Sequence, residues 1–238
     1  STSQNVLASF QYKCTRYGLF ANGMVLHTWS HLPYTLSQQL YGDYAVYSYS
    51  DADNDSKSLI VLGSIGKTLD FMRGSCNING SYNRSESLLL SQGQSVKSVS
   101  GIWSVGGKIN GSPCRWFSFD YAIGYSDSRL TMNGASAPWL SSMTNELNLN
   151  FTPHDKWQWQ ISGEHYRNEL TEGIYKNIVL FDTKLIFKPT KHIELSATLT
   201  NILNTKQYNY ITYSQLSSFE SQRLLRGRQL LFSITLRK

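Results

Sequence analysis

Large apolar side chains recur at every second residue over segments of about ten residues, and this rhythm repeats along almost the whole chain. A period of two belongs to a β-strand whose two faces meet different surroundings. In Arg115 to Asp127, Phe117, Phe119, Tyr121, Ile123 and Tyr125 share one face, while Ser118, Asp120, Ala122, Gly124 and Ser126 share the other. Leu147, Leu149 and Phe151 alternate with Glu146, Asn148 and Asn150. Trp157, Trp159 and Ile161 alternate with Gln158, Gln160 and Ser162. Ile193, Leu195, Ala197 and Leu199 alternate with Glu194, Ser196, Thr198 and Thr200, and Leu230, Phe232, Ile234 and Leu236 close the series. One segment departs from the scheme. Between residues 178 and 187, Ile178, Leu180 and Ile186 stand on the polar face beside Asp182 and Lys184, which points either to protein contact on that side or to a slip in the assigned register.

The pattern predicts an all-β, antiparallel fold with roughly twelve strands. They fall at 4–14, 17–31, 57–69, 72–85, 95–110, 114–128, 139–152, 155–168, 175–188, 191–203, 206–215 and 227–237. Short connections alternate with longer ones at 32–56, 86–94, 129–138, 169–174 and 216–226. A transmembrane β-barrel has this order, with short turns on the periplasmic side and longer loops outside. Residues 1–238 read as one such barrel region. Trp29, Trp116, Trp139, Trp157 and Trp159 stand near segment ends, where a membrane interface suits an amphipathic ring.

Composition agrees. Charged residues are 16% of the chain, against ~25% in ordinary soluble domains, and aromatic residues are 13%. The formal net charge of +6 is scattered, apart from a modest cluster from Arg223 to Arg228, and nucleic-acid binding is not expected from such a distribution. No apolar run is long enough for a transmembrane helix. The opening residues, STSQNVLASFQYK, have no signal-peptide pattern and begin directly as a strand, so further sequence is expected upstream.

Candidate chemistry is sparse. Cys14, Cys76 and Cys114 form no metal-binding spacing, and an odd count leaves no complete disulfide framework. Asp51, Asp53 and Asp55 start like a calcium loop, but Ser56 and Leu62 stand where Gly and Glu are needed, so a solvated loop is expected. His27 and His31 lie on one face of a predicted strand, ~13 Å apart, too far to share a metal. No nucleophile, zinc-protease or nucleotide motif is present, and no enzymatic role, cofactor or metal is expected. Candidate extracellular ligand contacts are Tyr41, Tyr44, Tyr47 and Tyr49, because tyrosine offers rigid contact area with a polar tip. Candidate lumen-facing residues are Asp120, Glu146, Asn148, Asn150, Gln158, Gln160 and Glu194.

The last third carries two further signatures: TNILNTKQY at Thr200 to Tyr208, then RLLRGRQLLFSITLRK to the end. Together they resemble the C-terminal end of Bacteroidetes-type TonB-dependent outer-membrane receptors, over about 40 residues. In that family the first motif often reads like N-L-F-N-x-x-Y, and the final strand follows an L-R-P-R-like run and ends on an aromatic residue. Here Ile202 and Leu203 replace Leu-Phe, Gly227 stands where Pro is common, and Lys238 ends the chain. The resemblance implies the C-terminal half of a barrel of about 22 strands. It also implies a preceding plug and barrel half, TonB engaged through that plug, a surface lipoprotein partner, and uptake of a bulky metal chelate, vitamin, glycan or peptide. Two alternatives stand beside it: a self-contained small barrel acting as a pore or adhesin, and an outer-membrane barrel enzyme.

Overall fold

A computed structural model describes residues 1–41, 44–213 and 218–236. The strands are β1 (Thr2–Cys14), β2 (Leu19–Leu32), β3 (Thr35–Tyr41), β4 (Tyr44–Ser50), β5 (Asn54–Leu69), β6 (Gly74–Ser91), β7 (Gln94–Cys114) and β8 (Phe117–Met132). They continue with β9 (Ala135–Ser136), β10 (Leu140–His154), β11 (Trp157–Thr171), β12 (Ile174–Thr190), β13 (Ile193–Thr200), β14 (Gln207–Tyr213), β15 (Ser218–Leu224) and β16 (Gln229–Leu236). Eleven of them form one continuous antiparallel wall in the order β1-β2-β5-β6-β7-β8-β10-β11-β12-β13-β16. The wall is open: among the described residues β1 and β16 each keep one edge unpaired.

The expected strand at 206–215 exists, but its place differs. As β14 it pairs with β15 in a separate two-stranded sheet, so the wall passes directly from β13 to β16. Eleven is odd. Neighbouring wall strands alternate in direction, so β1 and β16 run the same way.

The turns at one end are short and repetitive. Three wall strands end on a proline-bearing bulge: Ser112-Pro113-Cys114, Thr152-Pro153-His154 and Lys188-Pro189-Thr190. Proline has no N–H to offer a ladder and is tolerated where a bulge has already broken it. The two other short turns are single 3-10 turns at Thr15–Tyr17 and Asp70–Met72, each left through a residue with positive φ, Gly18 and Arg73.

At the other end the expected long loops at 86–94, 129–138 and 169–174 are largely strand. β6 and β7 run to a turn at Gln92-Gly93, and β8 ends at Asn133-Gly134, all four residues having positive φ. Two consecutive residues with positive φ give the tight hairpin whose twist matches its strands. The two long connections build their own hairpins, β3–β4 and β14–β15. The β3–β4 hairpin is anchored at its root. Asn54 donates to the Leu88 carbonyl and accepts from the Leu88 N–H, both at 3.0 Å, and Ser37 and Gln38 bridge in parallel to Leu90 and Ser91 of β6.

The wall has no dry core. Among the described residues the buried apolar side chains are Leu89, Ile178 and Ile186, and the register places all three on the polar face. The apolar face contributes none. Phe10, Ile65, Ile78, Val105, Trp159, Leu185, Phe232 and Ile234 all lie exposed on it. Among the described residues no helix is long and apolar enough to cross a membrane.

Candidate functional site

Cross-strand pairing fixes which residues share a face, and it brings most of the lumen-facing candidates together. Asn110, Asp120, Asn148, Ser162 and Asp182 form one row across β7, β8, β10, β11 and β12. Ser118, Asn150, Gln160, Lys184 and Thr198 form the row beside it. Both rows line a trough of about 520 Å³ that reaches from β7 to β13, so the sheet is concave on its polar side. Glu146 and Glu164 face each other one row toward the loop end. Gln158 donates to Asn150 at 2.9 Å, and Lys108 holds Asp120 at 3.0 Å. Glu194 stands apart at the turn end, 3.8 Å from Lys188, beside a second recess framed by Lys156, Lys188 and Lys191.

The trough is furnished mostly with amides and hydroxyls, which donate and accept without net charge, with Asp120, Asp182 and Lys184 set among them. Such a surface holds hydrated or hydroxylated matter by many weak bonds. No group of three His, Cys, Asp or Glu side chains suited to a metal occurs among the described residues.

The four candidate tyrosines do not converge on one surface. Tyr41 and Tyr44 pair directly across β3–β4 and stack at 5.7 Å between centroids on one face. Tyr47 and Tyr49 lie on the opposite face, where the Tyr47 hydroxyl accepts from Gln38 at 3.2 Å and Tyr49 meets Tyr34 edge-on at 5.3 Å. All four are exposed. Period-two spacing separates neighbours of odd and even position, and the unread turn between Tyr41 and Tyr44 put those two on a common side. Residues 42 and 43 of this loop lie outside the described residues.

The acidic segment contains no calcium loop. Asp55 belongs to β5 and stands opposite His31, whose ring Nδ1 lies 2.8 Å from its carboxylate, with Asp53 at 3.8 Å. His27 packs against Trp29 at 3.8 Å on the same strand.

Sequence reasoning identified TNILNTKQY as a motif but not what it does. Asn201, with positive φ and 8% exposed, ties the break in one strand to the break in the next. Its amide nitrogen donates to the carbonyls of Thr205 and Arg226, both at 2.8 Å, and its amide oxygen accepts from the Thr205 N–H. Its own N–H donates to Asp182 at 2.7 Å. Asn204 accepts from the Arg228 N–H at 3.2 Å, and the Arg228 side chain donates to the Ile202 carbonyl. These bonds turn the chain out of the wall and over its polar face. Thr205 donates to the Val179 carbonyl, Tyr208 meets Tyr166 edge-on at 6.0 Å, and a recess is shared by Ser162, Glu164, Leu180, Asn201, Leu225 and Arg226. Protein covers the polar side at Ile178, whose side chain is 1% exposed: it stands opposite Tyr166, which meets Tyr208 of β14, and beside Val179, whose carbonyl accepts from Thr205. Residues 214–217, the end of the expected strand at 206–215 and the start of the expected loop at 216–226, lie outside the described residues.

The apolar face carries a polar border toward the loop end. The Tyr121 hydroxyl donates to Asn145 at 3.0 Å, Asn145 meets His165 at 3.1 Å, and His165 meets Asn177 at 3.3 Å, a file across four strands. Beyond it, Glu169 accepts from the N–H of Gly173 and from the N–H and hydroxyl of Ser141, which holds its carboxyl below the usual range. Glu86 is held below it too, by Lys97 at 3.2 Å and Arg84 at 2.7 Å.

Compared with protein-family models and with curated proteins, the chain matches none.

Proposed function

We propose that this chain is a stretch of the wall of an outer-membrane β-barrel, and that its role is that of a TonB-dependent transporter, admitting a bulky ligand without chemistry on it. The observation that carries the membrane reading is the uncovered apolar face, continuous over eleven strands and backed by a concave polar one. A soluble monomer rarely exposes an apolar patch beyond a few hundred Å². In lipid, the same face meets acyl chains while the backbone satisfies itself through the ladder. The short proline-bearing turns would then face the periplasm and the hairpins the outside.

Strand parity favours a larger barrel over a self-contained one. With eleven strands, closure of β1 on β16 needs a parallel seam. All-antiparallel closure, the rule for bacterial barrels of even strand number, needs an odd number of additional strands between those edges. Two open edges left in lipid would cost several kcal/mol for each unpaired backbone group. Transport coupled to TonB rests on the likeness of Thr200–Tyr208 and the final strand to that receptor class.

Cysteine cross-linking in the full-length protein tests the wall assignment. With the native cysteines replaced by serine, pairs placed at exposed edge positions of β1 and β16 are expected to stay unlinked. An intramolecular β1–β16 link in the membrane-inserted protein would establish the small closed barrel instead. For the transport role, deleting the gene is expected to abolish energy-dependent uptake of one ligand class, and uptake unaffected by loss of TonB would reject it.

A further inference from the structure

We infer that the outward face carries a phosphate-binding recess over Gly101, built for the headgroup of a phosphorylated glycolipid of the outer leaflet. The inference rests on the membrane reading proposed for the wall. Arg84, Gly101 and Arg129 are direct cross-strand neighbours on β6, β7 and β8. Adjacent strands lie about 4.8 Å apart, so the two arginine backbones stand roughly 10 Å from each other with no side chain between them. A Cβ on Gly101 would meet only the rim of the Trp139 ring, at 3.9 Å. The floor of the recess is bare backbone, one wall is an indole, and the two flanks are guanidinium-bearing.

The arginines are held in place by other contacts. Arg129 donates through Nε to the Ala137 carbonyl at 3.1 Å and lies 5.6 Å from the centre of the Trp139 ring. Arg84 donates through one Nη to Glu86 at 2.7 Å. A guanidinium has five N–H donors in a planar fork that matches phosphate oxygens, so both retain capacity for a ligand. Lys57 lies one same-face row further toward the loops, opposite Glu86, and Lys97 two rows further, opposite Leu88. Against these four cations stand Glu86, already shared by Arg84 and Lys97, Asp127, which accepts from the Tyr125 hydroxyl at 3.0 Å, and Asp55, beside Lys57 on β5 and 2.8 Å from the His31 ring. The local balance is cationic.

Its position selects a lipid headgroup. Immediately toward the turn end, the same strands and face carry Tyr82, Trp103 and Val105, members of the apolar surface. The recess therefore sits where acyl chains would end and headgroups begin. An arginine on an aromatic ring at that level is apolar on one side and charged on the other, as an interface requires. Cations at a membrane surface add affinity for anionic lipids.

Lipid exchange in nanodiscs, followed by native mass spectrometry of the full-length protein, tests the site. The probes are bisphosphorylated lipid A, the same lipid with its phosphates removed, and phosphatidylglycerol. Wild-type protein is expected to retain bisphosphorylated lipid A about tenfold or more over either other probe. The R84Q/R129Q pair and, separately, Gly101→Val are each expected to abolish that preference, and Lys184→Gln on the polar face is expected to leave it intact. Equal retention of all three lipids by wild type, retained preference in both recess variants, or an equal loss in Lys184→Gln would overturn the inference. Failure of the protein to enter nanodiscs at all would instead reject the membrane reading.

Discussion

Two regions of the apolar face solve the same problem with opposite materials. Across β1, β2, β5, β6 and β7 one cross-strand row reads Phe10, Gly23, Gly63, Gly80 and Val105. Three successive positions there have no side chain. The Phe10 ring lies over Gly23, where a Cβ would come within 2.2 Å of it, whereas a Cβ on Gly63 or Gly80 would meet only a backbone carbonyl at ordinary contact distance, 4.0 and 3.7 Å. Across β8, β10, β11 and β12 another row reads Phe117, Phe151, Trp159 and Leu185. Phe117 and Phe151 lie 4.9 Å apart, Phe151 and Trp159 5.5 Å, and Trp157 stacks on Phe187 at 4.2 Å. Backbone pairing is unbroken in both regions, so the ladder does not depend on what covers it. Cross-strand side-chain energy, in contrast, is concentrated in the aromatic region.

The sharpest way to break this comparison is to place a charge in the aromatic half. On the membrane reading proposed above, and with Tyr121 near mid-bilayer, Tyr121→Arg is expected to destabilise the inserted form by about 2–4 kcal/mol in a lipid-refolding titration. Ala122→Arg, between Lys108 and Glu146 on the polar face, is expected to cost clearly less. Equal costs would mean that the two faces are not what their side chains indicate. Next in size, Phe151→Ala removes two close ring pairs and is expected to cost about 2 kcal/mol by the same titration. Gly63→Ala should move the other way, gaining roughly 0.5–1 kcal/mol, because a strand glycine costs about that much and nothing blocks the new methyl. A loss at Gly63 would reveal a close neighbour that only the assembled barrel supplies.

The smallest effect sharpens the contrast at the loop end. Glu169, in the aromatic half, and Glu86, in the glycine half, both have lowered pKa values. A carboxyl lowered in the folded state contributes stability that is complete above its unfolded value and disappears as pH falls through the lowered one. Acid should therefore loosen both borders only below the usual carboxylate range. Glu169 is held chiefly by backbone N–H groups and Glu86 chiefly by Lys97. About 1 M salt, which shortens screening to roughly 3 Å, should raise the Glu86 midpoint and leave that of Glu169 nearly unchanged. Carboxyl-resolved NMR titration at low and high salt measures both.

Much of the candidate surface was legible because parity is rigid. Once Phe117 to Tyr125 are assigned to one face, Asp120 must occupy the other, and the register then carries Asn148, Asn150, Gln160 and Thr198 into the same trough. Tyrosines on a hairpin are harder, since the parity of one arm says nothing of the other until the turn is known. The loops were overestimated for a related reason. Gln92-Gly93 and Asn133-Gly134 look like ordinary loop composition, yet each pair supplies the positive φ values that let two strands run to the tip.

The sequence alone determined the secondary structure type and the two-faced character of nearly every wall strand, because successive side chains on a strand must point to opposite sides. Tertiary structure decided how many strands share the wall and where the chain leaves it. Those depend on bonds between residues far apart in sequence: Asn201 to Arg226, Asp182 to Asn201, Thr205 to Val179. A run such as Gln207 to Tyr213 has the same local preferences inside the wall or folded over it. Only the side chains that clamp its two ends select between them.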